Sequence, residues 1–186
     1  MEVTIIPQLA DNFCYHISFG GASILVDCSE PDKVFSYLGG RTVSHLLTTH
    51  KHWDHSNGNV EMKSKIPGLE IVGGKEDNVP ACTLPVENGD TLEVDGVKIT
   101  CIHTPCHTRG HIIYLLEVAA QEGHTIDRDV YQVTRNVKQA LFTGDTIFIG
   151  GCGRFFEGQP NEMVHAMEEA RKLPDALIFC GHEYSI

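Results

Sequence analysis

The 186-residue chain is 41% apolar and 21% charged with 18 Gly and 8 Pro, a composition that suits one globular domain and excludes disorder, collagen and coiled coil. Its 14 Lys+Arg against 25 Asp+Glu give a net charge of −11, which repels phosphate backbones and anionic membrane faces, so neither nucleic acid nor membrane is an expected partner. No apolar run approaches the roughly 20 residues that cross a bilayer, and MEVTIIPQLA lacks the basic and apolar regions of a secretory signal, so a cytoplasmic location is expected.

Short runs rich in Val, Ile and Thr, bounded by Gly, Asp or Pro, predict strands at 3–6, 14–19, 22–26, 43–48, 70–72, 98–102, 112–116, 140–142 and 176–179. Asp95-Gly96, between Leu92, Val94, Val97 and Ile99, predicts a two-residue hairpin turn. Pro31 opens a first helix whose apolar face is Val34, Phe35 and Leu38 and which Gly39-Gly40 ends. A shorter helix is expected over 57–65. Met163, Met167, Ala170 and Leu173 keep helical spacing up to the stop at Pro174. The polar stretch 120–139 has no sustained pattern and reads as a surface loop between two strands. Antiparallel strands mixed with a few helices predict an α+β or layered α/β architecture.

The seven Cys contain no CxxC pair, which excludes a zinc ribbon and a thioredoxin-type motif. Most are expected to be buried thiols, Cys152 of GGCG included. The eleven His are the more telling number. TTHKHWDH follows the run at 43–48, so His50, His52, Asp54 and His55 crowd one turn between a strand and a helix. Two His at i and i+2 past a strand end can face one ion, and the adjacent Asp-His pair a second ion nearby. Three more strand ends carry a ligand type: His107 in TPCHT, Asp145 in LFTGD and His182 in FCGH. Asp27 in LVDCS and Asn12 in DNF fit either supporting or plain turn roles. His111 reads as a structural hydrogen-bonder, and His16, His45, His103, His124 and His165 as structural or exposed.

HxHxDH followed by strand-end His, Asp and His resembles the metal set of the metallo-β-lactamase fold, a four-layer αββα sandwich. Within it THKHWDHSNGN, TPCHTRGHI, ALFTGDTIFIGGCGRFFEG and FCGHEY are similar to glyoxalase II, the hydroxyacylglutathione hydrolases. The resemblance covers nearly the whole chain and is poorest over 120–139. It implies two divalent ions, zinc first and iron or manganese as alternatives: His50, His52 and His107 on the first, Asp54, His55 and His182 on the second, and Asp145 bridging. Asp54 would also orient the attacking hydroxide. The implied reaction is hydrolysis of S-D-lactoylglutathione and related hydroxyacyl-glutathione thioesters to a 2-hydroxy acid and glutathione. Arg154, Phe156 and Tyr184 match positions that contact the glutathione moiety, with Phe156 where many members carry Tyr.

The expected partner is therefore a small-molecule thioester, and the expected state a monomer. Residues 1–186 are expected to form the metallo-β-lactamase-fold catalytic domain, without the helical domain that follows GHEY in that family. Two rival readings remain: an iron-dependent persulfide dioxygenase, which uses fewer of these ligands, and a metal-binding fragment with little turnover.

Overall fold

The computed structural model describes residues 1–119, 125–127 and 133–184. In chain order the elements are β1 (Glu2–Gln8), β2 (Asn12–Phe19), β3 (Ala22–Val26), α1 (Pro31–Leu38), β4 (His45–Thr48), α2 (Trp53–Ser56), α3 (Asn59–Lys65) and β5 (Glu70–Gly74). They continue with β6 (Leu84–Val86), β7 (Thr91–Val94), β8 (Val97–His103), β9 (Ile112–Val118), β10 (Thr125–Asp127) and β11 (Val133–Arg135). Last come β12 (Gln139–Gly144), β13 (Ile147–Phe148), β14 (Gly151–Cys152), α4 (Pro160–Arg171) and β15 (Leu177–Cys180).

Two sheets carry the fold, in strand orders β10-β11-β1-β2-β3-β4-β5-β6 and β15-β12-β9-β8-β7. Strand alternation explains why they stack. One face of the large sheet (Tyr15, Ile17, Ile24, Leu47, Val72) meets Ile99, Ile112, Tyr114, Leu116 and Phe142 of the small one in the central core. Its other face (Cys14, Leu25, Leu46, Ile71) packs under Val34 and Leu38 of α1 and Met62 of α3. On the small sheet Ile113, Leu115 and Leu141 face outward against Ala170 and Leu173 at the end of α4. The result is the αββα sandwich.

Most predicted elements appear in place. The Asp95-Gly96 turn has φ of 44° and 87° and pairs Val94 with Val97, as a type I′ hairpin requires. Two regions differ. The helix expected over 57–65 is present as α3, but an unexpected one-turn helix, α2, precedes it, and the Gly58 N–H, turned to the Cys28 carbonyl, separates the two. The stretch 120–139 is more than a loop: β10 and β11 extend the large sheet beside β1, pairing Val3 with Thr134. At three residues each, such strands lie below the length at which alternation is legible. Residues 120–124 and 128–132 lie outside the described residues. The edge strand β6 also went unpredicted, since it contains Pro85.

Two tyrosines tie the sheets together near one edge. Tyr15 of β2 donates its hydroxyl hydrogen across the interior to the Cys180 carbonyl at the end of β15. Tyr114 of β9 donates in the opposite sense to the Thr48 carbonyl at the end of β4, at 2.9 Å. Both are buried, so each crossing satisfies a polar group that would otherwise cost stability. The C-terminal ends of β3, β4, β8, β12 and β15 converge at this edge.

Candidate metal centre

Each candidate ligand sits just beyond one of these strand ends. His50 and His52 follow β4, and the Ser56 N–H bonding the His52 carbonyl (3.0 Å) winds Asp54 and His55 into α2. His107, Asp145 and His182 follow β8, β12 and β15. The His52 Nδ1 lies 3.1 Å from His50 Nε2 and 2.9 Å from His107 Nε2. In the second group, His55 Nε2 is 3.2 Å from His182 Nε2, and Asp54 Oδ2 is 3.6 and 3.3 Å from those two nitrogens. Asp145 spans both: Oδ2 is 3.4 Å from His107 Nε2, while Oδ1 is 3.2 Å from His55 Nε2 and 3.4 Å from His182 Nε2.

Glycines permit this crowding. A Cβ on Gly181 would lie 2.5 Å from Asp145 Oδ1, and one on Gly144, which also has φ of 46°, 2.5 Å from Thr49 Oγ1.

The ring nitrogens that face away from the centre have fixed partners. His50 Nδ1 pairs with Thr49 Oγ1 (3.1 Å), His55 Nδ1 with Asp27 Oδ2 (2.9 Å), His107 Nδ1 with the Arg154 carbonyl (2.8 Å) and His182 Nδ1 with Asp11 Oδ1 (2.9 Å). Such partners orient an imidazole and leave its other nitrogen free to ligate. Asp27 also accepts from the Thr49 amide and hydroxyl (both 2.8 Å), which resolves its two readings in favour of support. Asn12 donates to Asp54 Oδ2 at 3.0 Å. His111 is structural, its Nε2 accepting the Asp145 N–H at 3.2 Å. Asp11 and Thr49 were not singled out in the sequence. Their partners lie 171 and 22 residues away, and no local spacing announces such pairs.

Charge at the centre is divided. Burial holds His50 and His107 below the usual imidazole range. Burial pulls the same way on His55, but Asp145 and Asp27 overcome it and raise the ring well above its normal value. For His182, the nearby Asp145, Asp54 and Asp11 carboxylates likewise outweigh burial and push it up to about 10. Asp54 and Asp145 are held low, with neighbouring His side chains outweighing the opposing effect of burial.

Five histidine nitrogens and two carboxylates, aimed at a common space, form a donor set suited to cations. Among the described residues, His50, His52 and His107, and likewise Asp54, His55 and His182, each place their donor atoms within 4.8 Å of one another. Asp145 Oδ1 is buried without a hydrogen-bond partner. A buried orphan carboxylate oxygen is costly unless something positive takes it up. The set thus fits two divalent ions.

A cavity of about 490 Å³ opens onto this floor, walled by Trp53, Phe156 and Glu157. The Phe156 ring meets His52 and His107 edge-on at 5.5 and 5.2 Å, and the Arg154 guanidinium lies over it at 5.2 Å. Tyr184 stacks on His182 at 4.7 Å. Arg154, Phe156 and Tyr184 are all exposed. Cys152, expected to be packed, is exposed on β14, because the two-residue β13–β14 ribbon has no core beneath it. Trp53, 66% exposed beside Asp54, had drawn no notice in the sequence.

The description "metallo-beta-lactamase superfamily" matches residues 10–182 of the chain, which belongs to that superfamily. The hydroxyacylglutathione hydrolase cytoplasmic of Arabidopsis thaliana is 38% identical over 194 residues, covering 100% of this chain and 69% of its own length. The hydroxyacylglutathione hydrolase of Synechocystis sp. is 37% identical, with 100% and 70% covered. Within the superfamily the chain therefore belongs to the hydroxyacylglutathione hydrolases. Among solved structures, ETHE1 from Myxococcus xanthus is similar with a TM-score of 0.73 and 22% identity, covering 98% of this chain and 75% of that one. That likeness shows the fold.

Metal uptake at this donor set is expected to release protons. In metal-free protein the raised value of His182 means that its proton stabilises the fold fully below about pH 6.5, and this contribution is lost as pH rises through about 10. Ligation needs the neutral ring, so a metal taken up by His182 and His55 near pH 7 would displace their protons. Titration calorimetry of zinc into metal-free protein, run in two buffers of different ionisation enthalpy, is expected to show net release of at least about one proton per chain. Equal heats in both buffers would contradict it.

Proposed function

We propose that this chain hydrolyses hydroxyacyl-glutathione thioesters, S-D-lactoylglutathione foremost, to a 2-hydroxy acid and glutathione. The observation that carries the reading is Asp145 spanning two three-ligand groups with an orphan buried oxygen; the family of the two relatives supplies the substrate class. His50, His52 and His107 would hold the first ion, Asp54, His55 and His182 the second, and Asp145 both. When bound, two such ions supply a nucleophile at neutral pH and neutralise charge developing on the thioester oxygen. Zinc suits the imidazole and carboxylate donors best; iron and manganese suit them too, so availability selects among them.

The protein's own groups do the positioning. Asp54, steadied by Asn12, carries a carboxylate at the floor of the cavity and orients the attacking hydroxide. Its charge and that of Asp145 offset the cations. The walls Trp53 and Phe156 keep water away from the reacting ester. Arg154, Phe156 and Tyr184 receive the glutathione part, the guanidinium pairing with a peptide carboxylate. Residues 1–186 form one catalytic unit that acts as a monomer in the cytoplasm. The name of the Arabidopsis relative supports that location, and no helix among the described residues is long and apolar enough to cross a membrane.

The experiment is release of glutathione from S-D-lactoylglutathione by zinc-loaded protein, with chelated protein as the control. Turnover that chelation abolishes and zinc restores is the expected result. Oxygen consumption with glutathione persulfide, without thioester cleavage, would overturn it.

A further inference from the structure

The first ligand group draws on two irregular loops, residues 49–52 after β4 and 104–111 between β8 and β9, yet brings their His nitrogens within 2.9 Å. A carboxylate that belongs to neither loop bridges them. Asp77, fully buried, accepts the Lys51 N–H on Oδ2 at 2.6 Å and the Gly110 N–H on Oδ1 at 3.1 Å. Lys51 stands between His50 and His52, and Gly110 lies three residues past His107. The turn bearing Asp77 closes with its own N–H on the Gly74 carbonyl at 3.0 Å. It interlocks with the second loop, since a Cβ on Gly110 would fall 2.3 Å from the Asp77 nitrogen and one on Gly74 1.9 Å from the Gly110 oxygen.

Glu157 repeats the bridge at the rim. Its Oε1 lies 2.7 Å from Lys51 Nζ, and its Oε2 accepts the Arg109 N–H at 2.8 Å. The second ligand group has separate supports: Asp27 on His55, Asp11 on His182 and Asn12 on Asp54.

We propose that Asp77, backed by Glu157, is a positioning residue for the first metal ion and not the second, setting the span between the His50–His52 loop and His107. The proposal rests on the dinuclear reading above and is independent of the substrate. Only a carboxylate offers two acceptor oxygens to two facing N–H groups; the amide of Asn would turn a donor toward one of them. That leaves a buried N–H unpaired, and the loops shift to relieve it.

The test is a zinc titration against a competing chelator, with no turnover involved. The unmodified chain is read first; fewer than two ions would overturn the dinuclear reading and this proposal with it. Asp77→Asn is then made in two backgrounds, His182→Ala, which leaves the first ion, and His52→Ala, which leaves the second. The expected result is a Kd raised about 10- to 100-fold in the first background and unchanged in the second. Equal weakening in both, or none in either, overturns the proposal while leaving the dinuclear centre standing. If circular dichroism shows that Asp77→Asn does not fold, Glu157→Gln carries the same comparison from the rim, with the same order expected and a smaller change.

Discussion

Asp54→Asn is expected to lower kcat by roughly 10²- to 10⁴-fold, the usual cost of losing a group that acts on the reacting atoms. The change keeps the side chain's size, so stability should move little. Asp54 Oδ2 lies within 3.3–3.6 Å of His182 and His55 Nε2 and is held by Asn12 at 3.0 Å. In the proposed role, removing its charge would weaken the hold on the second ion and leave the attacking hydroxide without its orienting oxygen. Parallel measurement of kcat, bound metal and thermal midpoint checks this. Near-native turnover with both ions bound would show that Asp54 does neither job.

Phe142→Ala is expected to cost about 3–5 kcal/mol, the range for deleting a buried aromatic side chain. In a chain of this length that lowers the midpoint by of the order of 10 °C. Phe142 is fully buried on β12, stacked at 5.1 Å on Phe179 of β15 and edge-on at 5.3 Å to Tyr15. Those two strands carry Asp145 and His182 past their ends, and Tyr15 anchors the second of them through Cys180. Loss of the ring should therefore loosen two ligands as well as the core. Thermal denaturation with and without zinc separates the effects: the stabilisation by zinc should itself shrink. A midpoint shift below about 3 °C would mean that neighbours refill the space.

How much of this was legible in the sequence follows from the range of each interaction. The ligand positions were readable because HKHWDH packs four donors into six positions, and because His107, Asp145 and His182 each sit at the end of an apolar run. The strands were readable from β-branched runs such as 14–19 and 112–116, which gave only a layered mix of sheet and helix. The four-layer sandwich came from the family resemblance, because side chains that feed different layers are all apolar in IIYLL and carry no period. The supports were not. Asp11, Thr49 and Asp77 act through partners that only folding brings near, and nothing in DNF or KEDN distinguishes a supporting carboxylate from a turn residue. The strands β10 and β11 escaped because Thr-Ile-Asp and Val-Thr-Arg are too short and polar to show a period. Cys152 was misjudged because burial was inferred from residue type, whereas a two-residue ribbon has nothing to bury it against.

The central claim is that seven side chains make one dinuclear centre, and counting ions tests it most directly. Elemental analysis of freshly purified protein, never exposed to chelator, should give close to two divalent ions per chain, with Asp145→Ala reducing the count. Two three-donor groups joined by a buried carboxylate whose Oδ1 has no hydrogen-bond partner lead to that number. A reproducible value of one ion or none in the unmodified chain would contradict it.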